Sequence, residues 1–509
     1  MSLKMNDAEY VLFAKDKHNS NEFTRKELEA VFDYCQGKTF EFLDRMNVFA
    51  KAFNNPKITG IAGDVVEQSI LGMKQNSRQE PDLIVDGKQI ELKTTGLRVD
   101  KKNKGEFTPK EPVTITAVSI NKIVDEDYFD KSTLWHKLQS ILFVYYHYNS
   151  PVTVNALGYS KFTVLSHQFY MPSDLDRARF ENDWRIVRDF LRKVQNTYDE
   201  PEKGYPLLST EINPQLVVLD TAPKYPHPPR FRIKRAYFAV IVKKHFAQKL
   251  ESLSDEYVSY EQLDIKLHSL KEMYAAQSVR AIAYELGLDT KRITKQMAEQ
   301  LIVRMFGGNS KKMSKVEMFE AFGITGYSIA LSAKDGRTED TKMCPINFSE
   351  VMEEKDFEDS DFYHYYHDNT FLFFIVKETE VASSAKGKEV KVDYGNNQFL
   401  GFKRVRFSEE FIYKNVKPVW EKIRELISED KLEFVPDLKK DGTPIINPTG
   451  EIKGAPNFPK SSEGIIFVRG TGSNSSDKKE CVNGIRMYRQ NLWIRGDEIV
   501  EILSQQKFI

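Results

Sequence analysis

Helical and extended patterns of apolar residues alternate along the first half of the chain. Apolar residues recur at helical spacing after Thr24 and Glu27, which have the spacing of a helix capping box. The same periodicity predicts helices in residues 63–72 and 183–194, whereas residues 234–242 form an apolar run that we expect to be a strand. This mixture of helices and strands predicts an α/β domain ending near residue 255.

A β-hairpin is the strongest local prediction. Residues 80–94 alternate between apolar and polar with a period of two around Asp86-Gly87, a dipeptide that favours a two-residue turn. With that turn, Asp82 faces Glu91 across the two strands, and Lys93 follows on the same face. We therefore expect two carboxylates and one ammonium group side by side, opposite an apolar face.

The paired acids raise the question of what their proximity is for. Like charges directly opposite each other destabilise a hairpin, so stability alone does not favour the pair. Carboxylate oxygens at this separation suit Mg²⁺, which can polarise a phosphate and acidify a bound water. Lys93 could then position that water or neutralise developing charge. The alternative is a solvated polar face on which Lys93 relieves the two acids. Without metal, removing one acid should leave stability unchanged or slightly higher.

The composition is that of a globular protein with a hydrophobic core. The chain has 509 residues, of which 40% are hydrophobic and 29% are charged. Lysine plus arginine and aspartate plus glutamate number 74 each, which excludes a purely electrostatic nucleic-acid binder but permits a local basic groove. No apolar run approaches the roughly 18 residues of a membrane span. We find no nucleotide-binding motif.

Three separated cysteines, Cys35, Cys344 and Cys481, exclude a zinc ribbon and a disulfide framework. They favour a reducing, cytoplasmic location.

The second half of the sequence repeats features of the first in the same order. Glu67 recurs as Glu299 within a similar helical segment, and Trp135-His136 before an aromatic run recurs as Tyr363-His364. Matches that keep their order indicate a duplicated domain. Two unrelated α/β domains are the alternative.

These residues also carry a family resemblance. Asp82 preceded by proline, followed by Glu91-Leu92-Lys93, resembles the PD-(D/E)xK nuclease pattern, and Glu67 on the preceding helix makes the chain similar to the MutH family. The resemblance implies that Asp82 and Glu91 bind Mg²⁺ and that Lys93 orients or activates the attacking water. It also implies that Glu67 and Lys137 support the site. The alternatives are an exposed helix residue for Glu67 and an exposed lysine at a strand start for Lys137.

The length of the chain separates branches of this family. The mismatch-repair nickase is a shorter, single domain, whereas the chain resembles two-domain restriction endonucleases of the Sau-three-A-I type. The implied fold is mixed α/β and pseudo-dimeric, with two tandem MutH-like restriction-endonuclease domains. Residues 1–255 would be catalytic, and residues 256–509 would be a degenerate DNA-binding and effector copy.

The degeneration of the second copy is expected from an alignment of the two halves. The aligned pairs are Glu91 with Ala330, Lys93 with Ser332 and Lys137 with Tyr365. Only Glu299 retains its acid, so we expect no catalytic metal in the second copy.

The implied function is Mg²⁺-dependent hydrolysis of double-stranded DNA at a short specific site by a type II restriction endonuclease. The family's usual site is GATC, no nucleotide cofactor is needed, and self-association on DNA is compatible with it. The expected DNA-binding residues are Thr59, Gly60, Lys224, Arg230, Arg232, Lys234 and Arg235. The alternatives are a mismatch-repair nickase and a non-enzymatic DNA-binding regulator.

Overall fold

The computed structural model describes residues 5–74, 80–100, 105–150, 152–332, 338–379, 393–447, 450–472 and 474–509. Contacts divide the chain into two compact units. The first comprises Met1–Ser150, Val154–Leu263 and Lys315–Phe322, and the second comprises Pro151–Thr153, Asp264–Ser314 and Gly323–Ile509. Within the described parts of the chain, no helix is both long and apolar enough to cross a membrane.

The secondary structure is mixed, as the sequence predicts. The α-helices are α1 (Asp7–Asp16), α2 (Arg25–Cys35), α3 (Phe40–Leu43), α4 (Ala50–Asn54), α5 (Ile61–Asp64), α6 (Ile120–Ile123), α7 (Thr133–Leu138), α8 (Asp174–Thr197), α9 (Arg235–His245), α10 (Tyr260–Tyr274), α11 (Val279–Glu285), α12 (Ala298–Met305), α13 (Glu317–Ala321), α14 (Phe348–Glu353), α15 (Asp361–His367), α16 (Glu409–Phe411), α17 (Lys417–Ser428) and α18 (Gly496–Ser504). The strands are β1 (Glu22–Phe23), β2 (Leu83–Val85), β3 (Lys88–Val99), β4 (Phe107–Pro109), β5 (Val113–Ala117), β6 (Ile141–His147), β7 (Thr163–Tyr170), β8 (Leu219–Ala222), β9 (Arg230–Ile233), β10 (Ile324–Leu331), β11 (Thr341–Pro345), β12 (Thr370–Lys377), β13 (Gln398–Val405), β14 (Phe434–Pro436), β15 (Gly454–Pro456), β16 (Ile466–Thr471), β17 (Glu480–Val482), β18 (Ile485–Met487) and β19 (Arg489–Ile494).

The main sheet of the first unit has the order β1-β2-β3-β6-β7, with β4 on the far end of β3. Strands β3 and β6 run parallel, and β6 and β7 run antiparallel. Residues 141–146 of β6 are all buried, which explains why this strand reads as an unbroken apolar run. A second, antiparallel sheet has the order β5-β9-β8.

The predicted hairpin is confirmed with its register. Leu83 pairs with Ile90 and Val85 pairs with Lys88, so the turn consists of Asp86 and Gly87. Both turn residues have positive φ, +48° and +78°, as a type I′ turn requires. The local sequence therefore sets which side chains of β2 and β3 share a face.

Three predicted helices are also confirmed. Thr24 and Glu27 form a reciprocal capping box at the start of α2. Residues 61–70 are helical, but α5 continues into a π-helical turn over Val65–Ile70. Helix α8 contains residues 183–194 and is longer than predicted.

The strand predicted for residues 234–242 is wrong, because this segment forms helix α9. Residues 237–243 are all buried, so no polar stripe marks a helical period in the sequence. Phe238, for example, packs against Phe143 of β6 with ring centroids 5.0 Å apart. A short apolar run that is buried all round cannot be distinguished from a strand by periodicity alone.

The second unit contains strand pairings of the same kinds. Strands β10 and β12 run parallel, and β12 and β13 run antiparallel. A separate antiparallel sheet has the order β11-β19-β16, and α18 follows β19 directly as α9 follows β9. The two remaining described pairs, β14-β15 and β17-β18, are short.

Candidate active site

The hairpin brings Asp82 and Glu91 together at the start of β3. The backbone N–H of Leu92 donates to Asp82 Oδ2 at 3.0 Å, so the Asp82 carboxylate lies across from the beginning of the strand. Glu91 is only 1% exposed and lies opposite Ile141 of β6. Of the two predicted acids, Glu91 is therefore buried and Asp82 is partly buried, so the pair does not lie on a solvated face.

Two lysines bind the buried carboxylate of Glu91. Lys93 Nζ donates to Glu91 Oε1 at 2.6 Å. Lys137 Nζ lies 3.1 Å from Oε1 and 3.0 Å from Oε2 of the same carboxylate. Lys137 is buried on α7, so it is not an exposed lysine at a strand start. Because α7 leads directly into β6, the parallel pairing of β6 with β3 positions Lys137 beside Glu91.

Glu67 lies on the π-helical turn and is partly buried. The pKa of Glu67 is raised to about 7, first by burial and then by the negative charges of Asp82 and Asp64, whereas the charge of Lys93 lowers it. Because the charges of Asp82 and Lys93 both affect the pKa of Glu67, this side chain lies near the hairpin. Asp64 was not predicted, although its helical i, i+3 spacing from Glu67 could have indicated it.

The carboxylate oxygens of the site are the kind of ligand that a hard divalent cation prefers. No group of three or more Asp, Glu, His or Cys residues in the described parts of the chain could hold a metal ion. Asp82 and Glu91 nevertheless offer carboxylate oxygens. The pKa of Glu67 is raised first by burial and then by the negative charges of Asp82 and Asp64, which a cation would offset. Both Glu91 oxygens contact lysine ammonium groups, so a cation would compete with those contacts.

The expected DNA-binding residues fall into two places. Thr59 and Gly60 are exposed at the start of α5, upstream of Glu67, and Gly60 has a φ of +80°. Lys224 lies in the loop between β8 and β9, and Arg230 begins β9; both are exposed. These four residues could contact a ligand at the surface.

The three other members of the expected DNA-binding set are partly buried. Arg232 forms a two-point ion pair with Asp220, with distances of 2.7 and 3.1 Å. Lys234 precedes α9 and donates to the carbonyl oxygen of Leu216. Arg235 is partly buried in the first turn of α9. The sequence suggests a basic strand here, whereas the structure has the end of β9 and the start of a helix.

The second unit shows a different alignment from the one expected. Glu91 pairs with Ile141 just after α7, and the corresponding position just after α15 is Thr370, which pairs with Ile324. Ala330 pairs with Val376 at the far end of the strand, so a comparison by strand register does not match Ala330 with Glu91 or Ser332 with Lys93. By register, Ile324 and Gly326 occupy these positions.

Ile324 and Gly326 carry no charged side chain, so strand β10 has neither an acid nor a lysine at these two positions. A side chain added at Gly326 would start 2.5 Å from the Met313 sulfur and 3.3 Å from Glu299 Cγ. Glu299 accepts hydrogen bonds from Lys312 Nζ at 2.8 Å and Met313 N at 3.1 Å. Tyr365, which lies as far from the start of α15 as Lys137 lies from the start of α7, hydrogen-bonds to Tyr327.

The comparisons agree with the site geometry. The family of the DNA mismatch repair enzyme MutH matches residues 71–177 of the chain. This segment contains Asp82, Glu91, Lys93 and Lys137, and Glu67 precedes it by a few residues. Residues 71–177 are thus a MutH-like domain of the PD-(D/E)xK type, which implies a nuclease that cleaves DNA phosphodiester bonds. Nucleases of this type generally use a divalent metal. No curated protein matches the chain.

Proposed function

We propose that the protein is a type II restriction endonuclease that hydrolyses double-stranded DNA at a short specific site with Mg²⁺. The observation that carries this proposal is the buried Glu91 carboxylate, which contacts Lys93 and Lys137 beside Asp82 within the MutH-like segment. A buried acid with two cations at the end of a hairpin is expensive to assemble for stability alone.

Each residue of the candidate site has a separate role in the proposed reaction. Asp82 and Glu91 would hold the metal, which would supply Lewis-acid chemistry by polarising the phosphate and acidifying a water. Lys93 orients the attacking water and offsets charge that develops on the phosphate. Lys137 orients the Glu91 carboxylate, and Glu67 would add negative charge to the same site when it is ionised.

We further propose that the second unit is a degenerate MutH-like copy that binds DNA without cleaving it. Its parallel and antiparallel pairings, β10-β12-β13, correspond to β3-β6-β7. Isolated bridges support the same correspondence, since Thr39 pairs with Thr163 at the start of β7 and Ser278 pairs with Gln398 at the start of β13. In this proposal residues 1–255 are catalytic and residues 256–509 are the effector copy.

The proposed recognition site is GATC, and the proposed location is the cytoplasm. Thr59, Gly60, Lys224 and Arg230 are exposed and are the first candidates for contacts with bases or phosphates. Arg232, Lys234 and Arg235 would contribute mainly by holding this region in shape. Self-association on DNA, if it occurs, would bring two catalytic units to one site.

The decisive experiment is cleavage of supercoiled plasmid with Mg²⁺ and with EDTA. We expect linear product with Mg²⁺, none with EDTA, and none from Lys93→Met. The matched control is Lys88→Met, because Lys88 is exposed on the same strand and should not affect cleavage. Specific binding without any cleavage would instead indicate a regulator.

A nickase is the second candidate, because the matching family is named for a mismatch-repair enzyme. It would convert the supercoiled plasmid to open circles without linear product.

A further inference from the structure

We propose that Glu126 is a positioning residue for Lys137. In this proposal the Glu126 carboxylate fixes the first turn of α7, and the helix in turn holds the Lys137 ammonium against Glu91. The inference rests on the proposed nuclease function for its catalytic consequence. Its structural consequence can be measured separately.

Both carboxylate oxygens of Glu126 accept hydrogen bonds, one from the start of α7 and the other from α8. Oε1 accepts from the backbone N–H of Thr133 at 2.9 Å and from its hydroxyl at 3.0 Å. Oε2 accepts from the indole N–H of Trp184 on α8 at 3.1 Å. Thr133 is the first residue of α7 and lies one turn before Lys137, so its position determines where the lysine projects. A carboxylate at a helix N-terminus is also favoured by the helix dipole.

The segment that carries Glu126 is itself attached to α8. Arg188 Nη1 donates to the carbonyl oxygens of Glu126 at 3.2 Å and Asp127 at 3.1 Å. Arg192 Nε donates to the carbonyl oxygen of Val124 at 2.6 Å. Trp184, whose indole N–H donates to Glu126, is buried. Glu126 therefore links a helix that carries an active-site lysine to a long helix anchored in the core.

The same arrangement occurs in the second unit. Glu354 accepts from the backbone N–H of Asp361, the first residue of α15, at 3.0 Å and from Trp420 Nε1 at 3.0 Å. Arg424 lies over Trp420 at 4.6 Å, as Arg188 lies over Trp184 at 4.5 Å.

The two arrangements differ in what the helix carries. Helix α15 presents Tyr365, where α7 presents Lys137. Loss of the carboxylate should affect helix placement in both units, but it can affect catalysis through a lysine only in the first. The chain therefore contains its own matched control.

Glutamine is the most informative replacement because it preserves the shape of Glu126. Its amide group would turn one donor toward the N–H of Thr133 or of Trp184, so one of these partly buried donors would lose its acceptor. We expect the first turn of α7 to shift, and a displacement of about 1 Å at a catalytic group can cost on the order of 100-fold in rate.

The test compares the full-length Glu126→Gln and Glu354→Gln variants with the wild type. We expect Glu126→Gln to lower the single-turnover cleavage rate by about 10–100-fold. DNA affinity should be unchanged, and Glu354→Gln should cleave at the wild-type rate. In the Lys137→Ala background, Glu126→Gln should have no further effect, because both changes remove the same function.

A second measurement does not depend on cleavage. Acetic anhydride labelling of Lys137, quantified by peptide mass spectrometry against the exposed Lys88, reports how well Lys137 is held. We expect labelling of Lys137 to increase several-fold in Glu126→Gln and to stay at the wild-type level in Glu354→Gln. Trp184→Phe, which removes one donor and retains the packing, should increase it as well.

The outcomes separate the inference from the proposed function. Equal loss of cleavage in Glu126→Gln and Glu354→Gln, or additive loss with Lys137→Ala, would overturn the positioning role. Unchanged Lys137 labelling in Glu126→Gln would overturn it too. If the wild type cleaves no DNA but labelling of Lys137 rises as expected, the nuclease proposal fails and the positioning of Lys137 stands.

Discussion

Glu91 makes the densest set of charged contacts in the candidate site, so its substitution tests the chemistry most directly. We predict that Glu91→Ala abolishes cleavage while specific DNA binding persists, because the acid stabilises the transition state more than the bound substrate. Asp82→Ala and Lys93→Ala should behave in the same way. The measurement is plasmid cleavage together with binding to a duplex in Ca²⁺. Near-normal cleavage by Glu91→Ala would show that the assignment of the active site is wrong.

The stability of the same variant should fall, contrary to what the sequence suggests. The hairpin alone predicts that removing one of two facing acids relieves repulsion. In the structure, however, Glu91 is 1% exposed and binds both Lys93 and Lys137. Removing one member of a buried ionic group typically costs about 3–5 kcal/mol. Urea unfolding in EDTA measures this cost, with Lys88→Met as the control, and an unchanged free energy of unfolding would contradict the prediction.

Glu67 gives the protein a predictable dependence on pH. Its pKa is raised from 4.5 to about 7 in the folded protein, first by burial and then by Asp82 and Asp64. The folded state therefore holds the proton more tightly than the unfolded chain does. No penalty exists below pH 4.5, where both states are protonated, and stability is lost as pH rises through 7.

Glu67→Gln removes this titration. We predict that the variant is more stable than the wild type above pH 7 by up to about 3 kcal/mol, and that the difference disappears at pH 4. Urea unfolding between pH 4 and pH 8 in EDTA checks both limits. A difference that does not vary with pH would rule out this explanation.

At the scale of single elements, structure that depends on neighbouring residues can be predicted from the sequence. Structure that depends on burial against distant residues cannot. The Asp86-Gly87 turn and the alternation around it define the hairpin within a few residues, so Asp82, Glu91 and Lys93 could be placed from sequence. Lys137 contacts Glu91 because β6, which follows α7, pairs in parallel with the distant strand β3. Periodicity does not encode this pairing, so only the family resemblance indicates a role for Lys137. Helix α9 was predicted as a strand because it is buried on all sides.

The hairpin turn can be tested by itself. Gly87 has a φ of +78°, which a residue with a side chain adopts only with strain. We predict that Gly87→Ala lowers the free energy of unfolding by about 1–2 kcal/mol. Gly63→Ala is the control, because Gly63 lies in α5 without a positive φ and with open space around it. Equal effects of the two substitutions would argue against strain at the turn.

For the whole molecule, the sequence predicts two related halves, and the alignment that it suggests differs from the strand register of the second unit. The match of Trp135-His136 with Tyr363-His364 agrees with the structure, since both pairs lie on capped helices that precede a parallel strand. The match of Glu91 with Ala330 does not, because similar apolar strands can be aligned in several registers. A comparison by strand register puts Ile324 and Gly326 at these positions, and neither residue is an acid or a lysine.

The proposed effector role of the second unit is best tested in the full chain. The segment Lys315–Phe322 belongs to the first unit, where Glu320 binds Lys243 and Glu317 binds Lys244 at 2.6 Å. A fragment starting at residue 256 would carry this segment away from its partners. Loss of DNA binding in such a fragment could then reflect misfolding.

We therefore predict that the intact protein cleaves plasmids with two recognition sites faster than plasmids with one. Occupancy of the second unit would favour the active state of the first, and coupling of this kind is typically worth about 1–3 kcal/mol, or roughly 5–150-fold. The inactive Glu91→Ala protein should bind duplex DNA with an affinity that falls steeply with salt, because contacts to phosphates dominate such binding. Equal rates on one-site and two-site plasmids, measured at low and moderate salt, would exclude an effector and leave the second unit with a structural or clamping role.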